Sequence, residues 1–135
     1  MGKFENAYLS GIIDGEGCIC ILHPDLLSFV VKIDIGMTSK ETIDFCSEIL
    51  QSNGMPVFRN EKKIKSGKSF YTLRTSGGRM FNFLSQLKLV TKRKQIRKAF
   101  LILYFQSLRK HVYTRNPLYT DIGELMKKIW RVNYG

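Results

Sequence analysis

The chain has 135 residues, which suits one domain over 1–135 with a real core. Its 22 Lys and Arg against 11 Asp and Glu leave a net charge of +11, which points to a polyanionic partner without choosing between DNA, RNA and an anionic membrane. No apolar run reaches the roughly 18 residues a membrane span needs, and the N-terminus has no signal-peptide pattern, so no membrane is expected as a partner. Three cysteines in apolar settings suit reduced, structural thiols of an intracellular protein, and two histidines without ligand-like neighbours argue against zinc.

The first predicted element is a helix over about Glu5 to Gly15. It carries the stretch Leu9-Ser10-Gly11-Ile12-Ile13-Asp14-Gly15-Glu16-Gly17, which is unusual for a core helix. Gly costs about 0.8–1 kcal/mol relative to Ala inside a helix, and Glu16 faces the unfavourable end of the helix dipole. Ala7, Gly11 and Gly15 recur every fourth residue and form one smooth stripe along which two helix backbones could approach. Phe4, Tyr8 and Ile12 flank it on one side, and Leu9 and Ile13 on the other, so burial nearly all round is expected. If two copies pack along the stripe, two Glu16 carboxylates meet near the two-fold axis and repel unless a cation sits between them. The alternative is a single buried helix stopped at Gly17.

Cys18 to His23 reads as a strand, Pro24-Asp25 as a turn, and Ser28 to Met37 as a longer strand with Val31, Ile33, Ile35 and Met37 on one face. Thr38 with Glu41 forms a capping box for a helix to about Ser52, whose inner face is Ile43, Cys46, Ile49 and Leu50. Asn53-Gly54 ends it. Val57 to Lys65 reads as a strand, Ser66-Gly67 as a tight turn, and Lys68 to Thr75 as the returning strand. Gly77-Gly78 precedes a helix to about Leu87 with Phe81, Leu84 and Leu87 inward. Two more helices follow, roughly Thr91 to Arg109 and Thr120 to Asn133, with Asp121 and Glu124 as a candidate cap for the last.

The order is therefore αββαββα with additional C-terminal helices, an α+β domain around a four-stranded antiparallel sheet. One sheet face must pack on the helices. The other is expected to carry Lys32, Asp34, Arg59, Glu61, Lys63, Thr72 and Arg74, a set rich in groups that read base edges; the alternative is a merely solvated face. Lys62, Lys65 and Lys68 cluster at the second hairpin tip and suit phosphate contacts. A nine-residue strand at ~3.3 Å per residue spans roughly 30 Å, close to one turn of duplex. Between Lys88 and Lys98 the chain holds six bases and no acid, a pattern that is usually a solvated helix face.

The stretch Leu9 to Gly17 also resembles the signature of the LAGLIDADG homing endonucleases. Leu9, Gly11, Ile13, Asp14 and Gly17 match the family name read as a sequence, and Ser10, Ile12, Gly15 and Glu16 are substitutions common there. The resemblance extends to the αββαββα order, to Thr91-Lys92-Arg93-Lys94-Gln95 and to Trp130-Arg131-Val132-Asn133, which together span most of the chain.

It implies a LAGLIDADG homing-endonuclease fold and a sequence-specific endonuclease, encoded within a mobile intron, that makes double-strand breaks in a long, near-palindromic DNA site. A single motif in a chain this short implies a homodimer through Ala7, Gly11 and Gly15; two-motif relatives are about twice as long. Mg2+ or another divalent cation would be held by Glu16 of both subunits, aided by backbone oxygens near Gly15. Lys92, with Lys94 as runner-up, matches a lysine near the scissile phosphate. Ser39 stands where some relatives carry a water-ordering Gln; it acts through another water or is only a helix N1 residue. Asp14 lies about 200° round the helix from Glu16, which favours a structural or hydrogen-bonding role over a shared ion. Two alternatives stay open: an RNA maturase assisting group I intron splicing, which would make intron RNA a partner, and a DNA-binding protein of the same fold that does not cut. An intracellular setting is expected, without distinguishing organelle, bacterial or phage-infected cytoplasm.

Overall fold

In the computed structural model, which describes residues 1–22, 29–77 and 79–132, the first helix runs into the first strand with no loop between them. Helix α1 (Lys3–Glu16) ends where β1 (Gly17–Leu22) begins. A Cβ at position 17 would lie 2.8 Å from both the Cα and the carbonyl oxygen of Ile13, so only glycine fits. The Gly17 backbone is extended rather than left-handed (φ −92°), and its N–H donates to the Ile13 carbonyl. The stop at Gly17 therefore rests on close approach, not on a positive φ.

The chain continues as β2 (Val30–Met37), α2 (Lys40–Ser52), β3 (Phe58–Lys63), β4 (Ser69–Ser76), α3 (Met80–Gln86), α4 (Arg93–Arg109) and α5 (Pro117–Arg131). The strands form one antiparallel sheet in the order β1-β2-β4-β3. This is the expected αββαββα order with two further helices. The expected turn at Pro24-Asp25 lies outside the described residues. No helix among the described residues is long and apolar enough to cross a membrane.

Alternation sorts the sheet into two faces. Val31, Ile33 and Ile35 of β2 and Leu73 of β4 are buried against Leu9 and Ile13 of α1, Ile43, Cys46, Ile49 and Leu50 of α2, and Met80, Phe83 and Leu84 of α3. Each such side chain contributes about 1.5–3 kcal/mol by leaving water. Ile96, Ala99 and Ile102 extend the core along α4. Helix α5 packs on α4, and Trp130 donates its indole N–H to the Ile21 carbonyl at 2.9 Å, tying the last helix to β1.

Several local expectations need correction. Only Leu9, Ser10 and Ile13 of α1 are buried, so the helix is not enclosed all round within one copy of the chain. Helix α2 is capped by Ser39, whose hydroxyl accepts from the Thr42 N–H, not by Thr38 with Glu41. In α3 Phe83 points inward and Phe81 is exposed. Helix α5 starts earlier, with Pro117 in its first turn and Asn116 accepting from the Leu118 N–H, so Asp121 and Glu124 are not its cap.

The most consequential correction concerns β3. A two-residue turn at Ser66-Gly67 would pair Lys65 with Lys68 and put Arg59, Glu61 and Lys63 on the same face as Thr72 and Arg74. The loop has three residues instead. Ile64 N–H donates to the Lys68 carbonyl, Gly67 N–H donates to the Ile64 carbonyl, and Gly67 is left-handed at φ +81°, as in a type I turn followed by a bulge glycine. One extra residue shifts the register by one, and a one-residue shift exchanges the faces. Phe58, Asn60 and Lys62 pair with Arg74, Thr72 and Phe70, whereas Arg59, Glu61 and Lys63 pair with Leu73, Tyr71 and Ser69 on the helix side.

Candidate functional site

Helix α1 presents three stripes, each repeating every fourth residue. The first, Leu9 and Ile13, enters the core. The second is Asn6, Ser10 and Asp14, and it anchors the segment between α3 and α4. Asn6 donates its amide to the Gln86 carbonyl. The Ser10 hydroxyl donates to the Asn6 side chain at 2.9 Å and accepts from the Lys88 N–H at 3.0 Å.

The Asp14 carboxylate completes this stripe. It accepts from the Val90 N–H at 2.9 Å, the Thr91 N–H at 2.9 Å, the Thr91 hydroxyl at 2.8 Å and the Lys92 N–H at 3.2 Å. A carboxylate satisfying the free amides at a helix start, at the positive end of its dipole, is a stable arrangement. Desolvation alone would raise the Asp14 carboxyl. The donations from Val90, Thr91 and Lys92 outweigh it and hold the group below its ordinary range. Asp14 thus has the hydrogen-bonding role expected of it.

The same contact fixes Lys92. Its ammonium donates to the Asp14 backbone carbonyl at 2.6 Å, which sets a cation against the carbonyl end of α1. Glu16 is two residues further on, the last of the helix. It is exposed, and none of the described residues hydrogen-bonds to it or pairs with it. Lys94 is exposed on α4, and it is Lys92 that reaches α1. Ser39 caps α2 and shares a hydrogen bond of 2.8 Å with the Thr42 hydroxyl.

The third stripe of α1 is Ala7, Gly11 and Gly15. All are exposed, and a Cβ at Gly11 or Gly15 would meet no atom within 4 Å. Beside it Phe4, 70% exposed, joins an edge-to-face aromatic cluster with Phe45, which also packs on Tyr8 at 4.9 Å between ring centroids.

The face of the sheet away from the helices forms a groove of about 900 Å³, and Glu16 stands in its lining with Lys32, Asp34, Asn60, Thr72 and Arg74. Asp34 is held by Lys32 at 3.0 Å and Arg74 at 2.8 Å. Burial would raise its carboxyl, but the bonds from Arg74 and Lys32 outweigh this and keep it charged. Across the edge strand, Arg59 bridges to Asp44 of α2, which Lys40 also reaches at 3.4 Å. Glu61 and Lys63 are exposed on that same side, and Lys65 and Lys68 are exposed around the hairpin tip. Sequence reasoning missed Asn60 and Phe58 on the groove face, and Asn6 and Ser10 on α1. The loop length would have revealed the first pair, and the spacing of Asn6, Ser10 and Asp14 the second.

Neither a protein-family model nor any curated protein matches the chain. Solved structures do. One is the LAGLIDADG meganuclease I-AabMI bound to uncleaved DNA, 19% identical, with a TM-score of 0.55 over 90% of this chain and 42% of that one. Another is I-DmoI in complex with DNA and Mn, 19% identical, with a TM-score of 0.43 over 92% of this chain and 76% of that one. The fold is that of the LAGLIDADG homing endonucleases, as the motif at Leu9–Gly17 implied. The chain spans less than half the length of the I-AabMI protein it resembles.

Proposed function

We propose that two copies of this chain form a sequence-specific DNA endonuclease that hydrolyses one phosphodiester on each strand. The observation that carries this reading is the Asp14 clamp. It brings the Lys92 ammonium to the end of α1 that bears Glu16, which lines the sheet groove. A carboxylate with no partner among the described residues and a held lysine at one helix end suit phosphoryl chemistry.

The donor set at this end is hard oxygen: the Glu16 carboxylate and backbone carbonyls near Gly15. Among the described residues no cluster of three or more His, Cys, Asp or Glu could hold a metal. One copy therefore offers one carboxylate, which suits Mg2+, an ion that takes one or two carboxylates and completes its shell with waters and substrate phosphates. When bound, such an ion supplies an activated water and stabilises the leaving oxygen. Glu16 from each subunit would hold it. Lys92 lies toward the phosphate and offsets charge that develops there. Asp14 positions Lys92 and the start of α4 without touching the reacting atoms. The Ser39 hydroxyl caps α2, which supports a structural role beside any ordering of water.

The bare stripe supports dimerisation. Packing Ala7, Gly11 and Gly15 against their copies would cover the open backbone and bring both Glu16 residues to the two-fold axis. The groove face, with Lys32, Asn60, Thr72 and Arg74, would read base edges in the major groove, and Lys65 and Lys68 would contact phosphates. The experiment is a selection for cleaved sites in a random DNA library with Mg2+. Recovery of one near-palindromic site supports the proposal. Retention of DNA without any cut by the wild-type chain would favour a binding protein instead.

A further inference from the structure

Cys18 and Cys20 stand on the groove side of β1, opposite Asp34 and Lys32, and the proposed chemistry uses neither. Cys18 is exposed and lines the groove; Cys20 is half-buried. Their sulfurs are 3.1 Å apart, and both are free thiols. We propose that this pair is a two-thiolate site for a soft d10 metal ion of the Cu(I) class, and that filling it weakens DNA binding in the groove.

Residues two apart on a strand have Cα atoms about 6.6 Å apart at ~3.3 Å per residue, near the upper limit of what a disulfide bridges. The pair is therefore poorly built for a disulfide, yet rotation about the side-chain bonds lets the two sulfurs straddle an ion. Thiolates select soft metals. Coordination number narrows the choice. Structural zinc takes four ligands, and among the described residues no third His, Cys, Asp or Glu joins these two in a metal cluster. Asp34, the nearest carboxylate across the strand, is already held by Lys32 and Arg74. Two soft donors alone suit ions content with two ligands. Cys46 is fully buried in the core and offers no comparable access.

Binding one monovalent ion forms two metal–sulfur bonds and releases two thiol protons to the buffer, with no change of oxidation state. The two neutral thiols become a bis-thiolate complex with one net negative charge. That charge sits in the groove between Glu16 and Asp34, where a polyanion would lie. This second half of the proposal rests on the DNA-binding reading above.

Ag(I) as its nitrate, in chloride-free buffer, is a redox-stable probe. Native mass spectrometry should show one ion per chain. Cys18→Ser and Cys20→Ser should each weaken binding by about 100-fold or more, since the second thiol acts at a high effective concentration, while Cys46→Ala keeps it. Alkylation of wild-type Cys18 and Cys20 should be blocked by one equivalent of Ag(I), a readout independent of how the variants fold. Unchanged Ag(I) affinity in both Ser variants, or alkylation indifferent to Ag(I), overturns the site. For the groove, the chain is loaded, desalted and titrated with duplex DNA near 0.1 M salt. Loaded wild type should bind about 5- to 10-fold more weakly, the worth of one phosphate contact, whereas Cys20→Ser treated alike should not change. Ag(I) bound at the pair with DNA affinity unmoved overturns the effect on DNA. A chain that binds no DNA with or without Ag(I) contradicts the DNA-binding reading, and the stoichiometry still decides the metal site.

Discussion

At the scale of single residues, the motif divides its two acids between different tasks. Asp14 accepts four hydrogen bonds at the start of α4, and Glu16 has no partner among the described residues. Asp14 therefore makes stability depend on pH. Its carboxyl is held below its ordinary range in the folded chain, so at low pH the unfolded chain binds the extra proton. Its contribution is fully present above the unfolded value and is lost as pH falls through the folded one. Asp34 and Asp44 are shifted the same way. Thermal melts of wild type should fall steadily below about pH 4, and Asp14→Asn should melt lower at neutral pH with a shallower acid slope; parallel slopes for the two chains would contradict this account. Lys92→Ala should slow cleavage by roughly 10- to 1,000-fold, in line with loss of one electrostatic stabiliser. On the proposal that Lys92 acts on charge and not on geometry, the cut positions should stay the same on a sequencing gel.

At the scale of elements, the glycines within α1 and just past its end answer to different constraints. Gly17 is fixed within the chain, because a Cβ there meets the Ile13 backbone at 2.8 Å; Gly11 meets nothing within 4 Å. Gly17→Ala should destabilise the monomer by roughly 1–3 kcal/mol, read in urea unfolding. Gly11→Val should leave the monomer close to wild-type stability and abolish dimers in sedimentation velocity. A Gly11→Val chain that still dimerises would remove the stripe from the interface. Strand β3 shows where sequence reading stopped. Val31, Ile33, Ile35 and Leu73 announce their face by alternation, but Phe58-Arg59-Asn60-Glu61-Lys62-Lys63 is exposed throughout and has no apolar phase to read. Its face depended on one residue in the loop, and Ser66-Gly67 resembled a two-residue turn closely enough to shift it. The corrected register makes a distinction: Asn60→Ala should change the preferred base at one or two positions, costing about 1–3 kcal/mol on the matched site, whereas Glu61→Ala should not. A binding selection on both variants decides it.

At the scale of the whole molecule, the element order and the fold were legible because helix and strand periodicities are strong and the motif is distinctive. The network around Asn6, Ser10 and Asp14 was not, since its partners lie about 80 residues away at Gln86 to Lys92 and are mostly backbone amides. Two Glu16 carboxylates at a two-fold axis, between two sheets in successive major grooves, would face the intervening minor groove. The nearest phosphates across a minor groove are offset in the 3′ direction, so short 3′ overhangs are expected. The most direct test is Glu16→Gln, assayed in parallel for cleavage of a selected site with Mg2+ and for binding to the same site. The amide keeps the shape and loses the charge that a hard cation needs, so cleavage should vanish while specific binding persists or tightens. A Glu16→Gln chain that still cuts with Mg2+, or wild-type products bearing 5′ overhangs, would contradict the assignment of Glu16 as the metal-holding residue at the dimer axis.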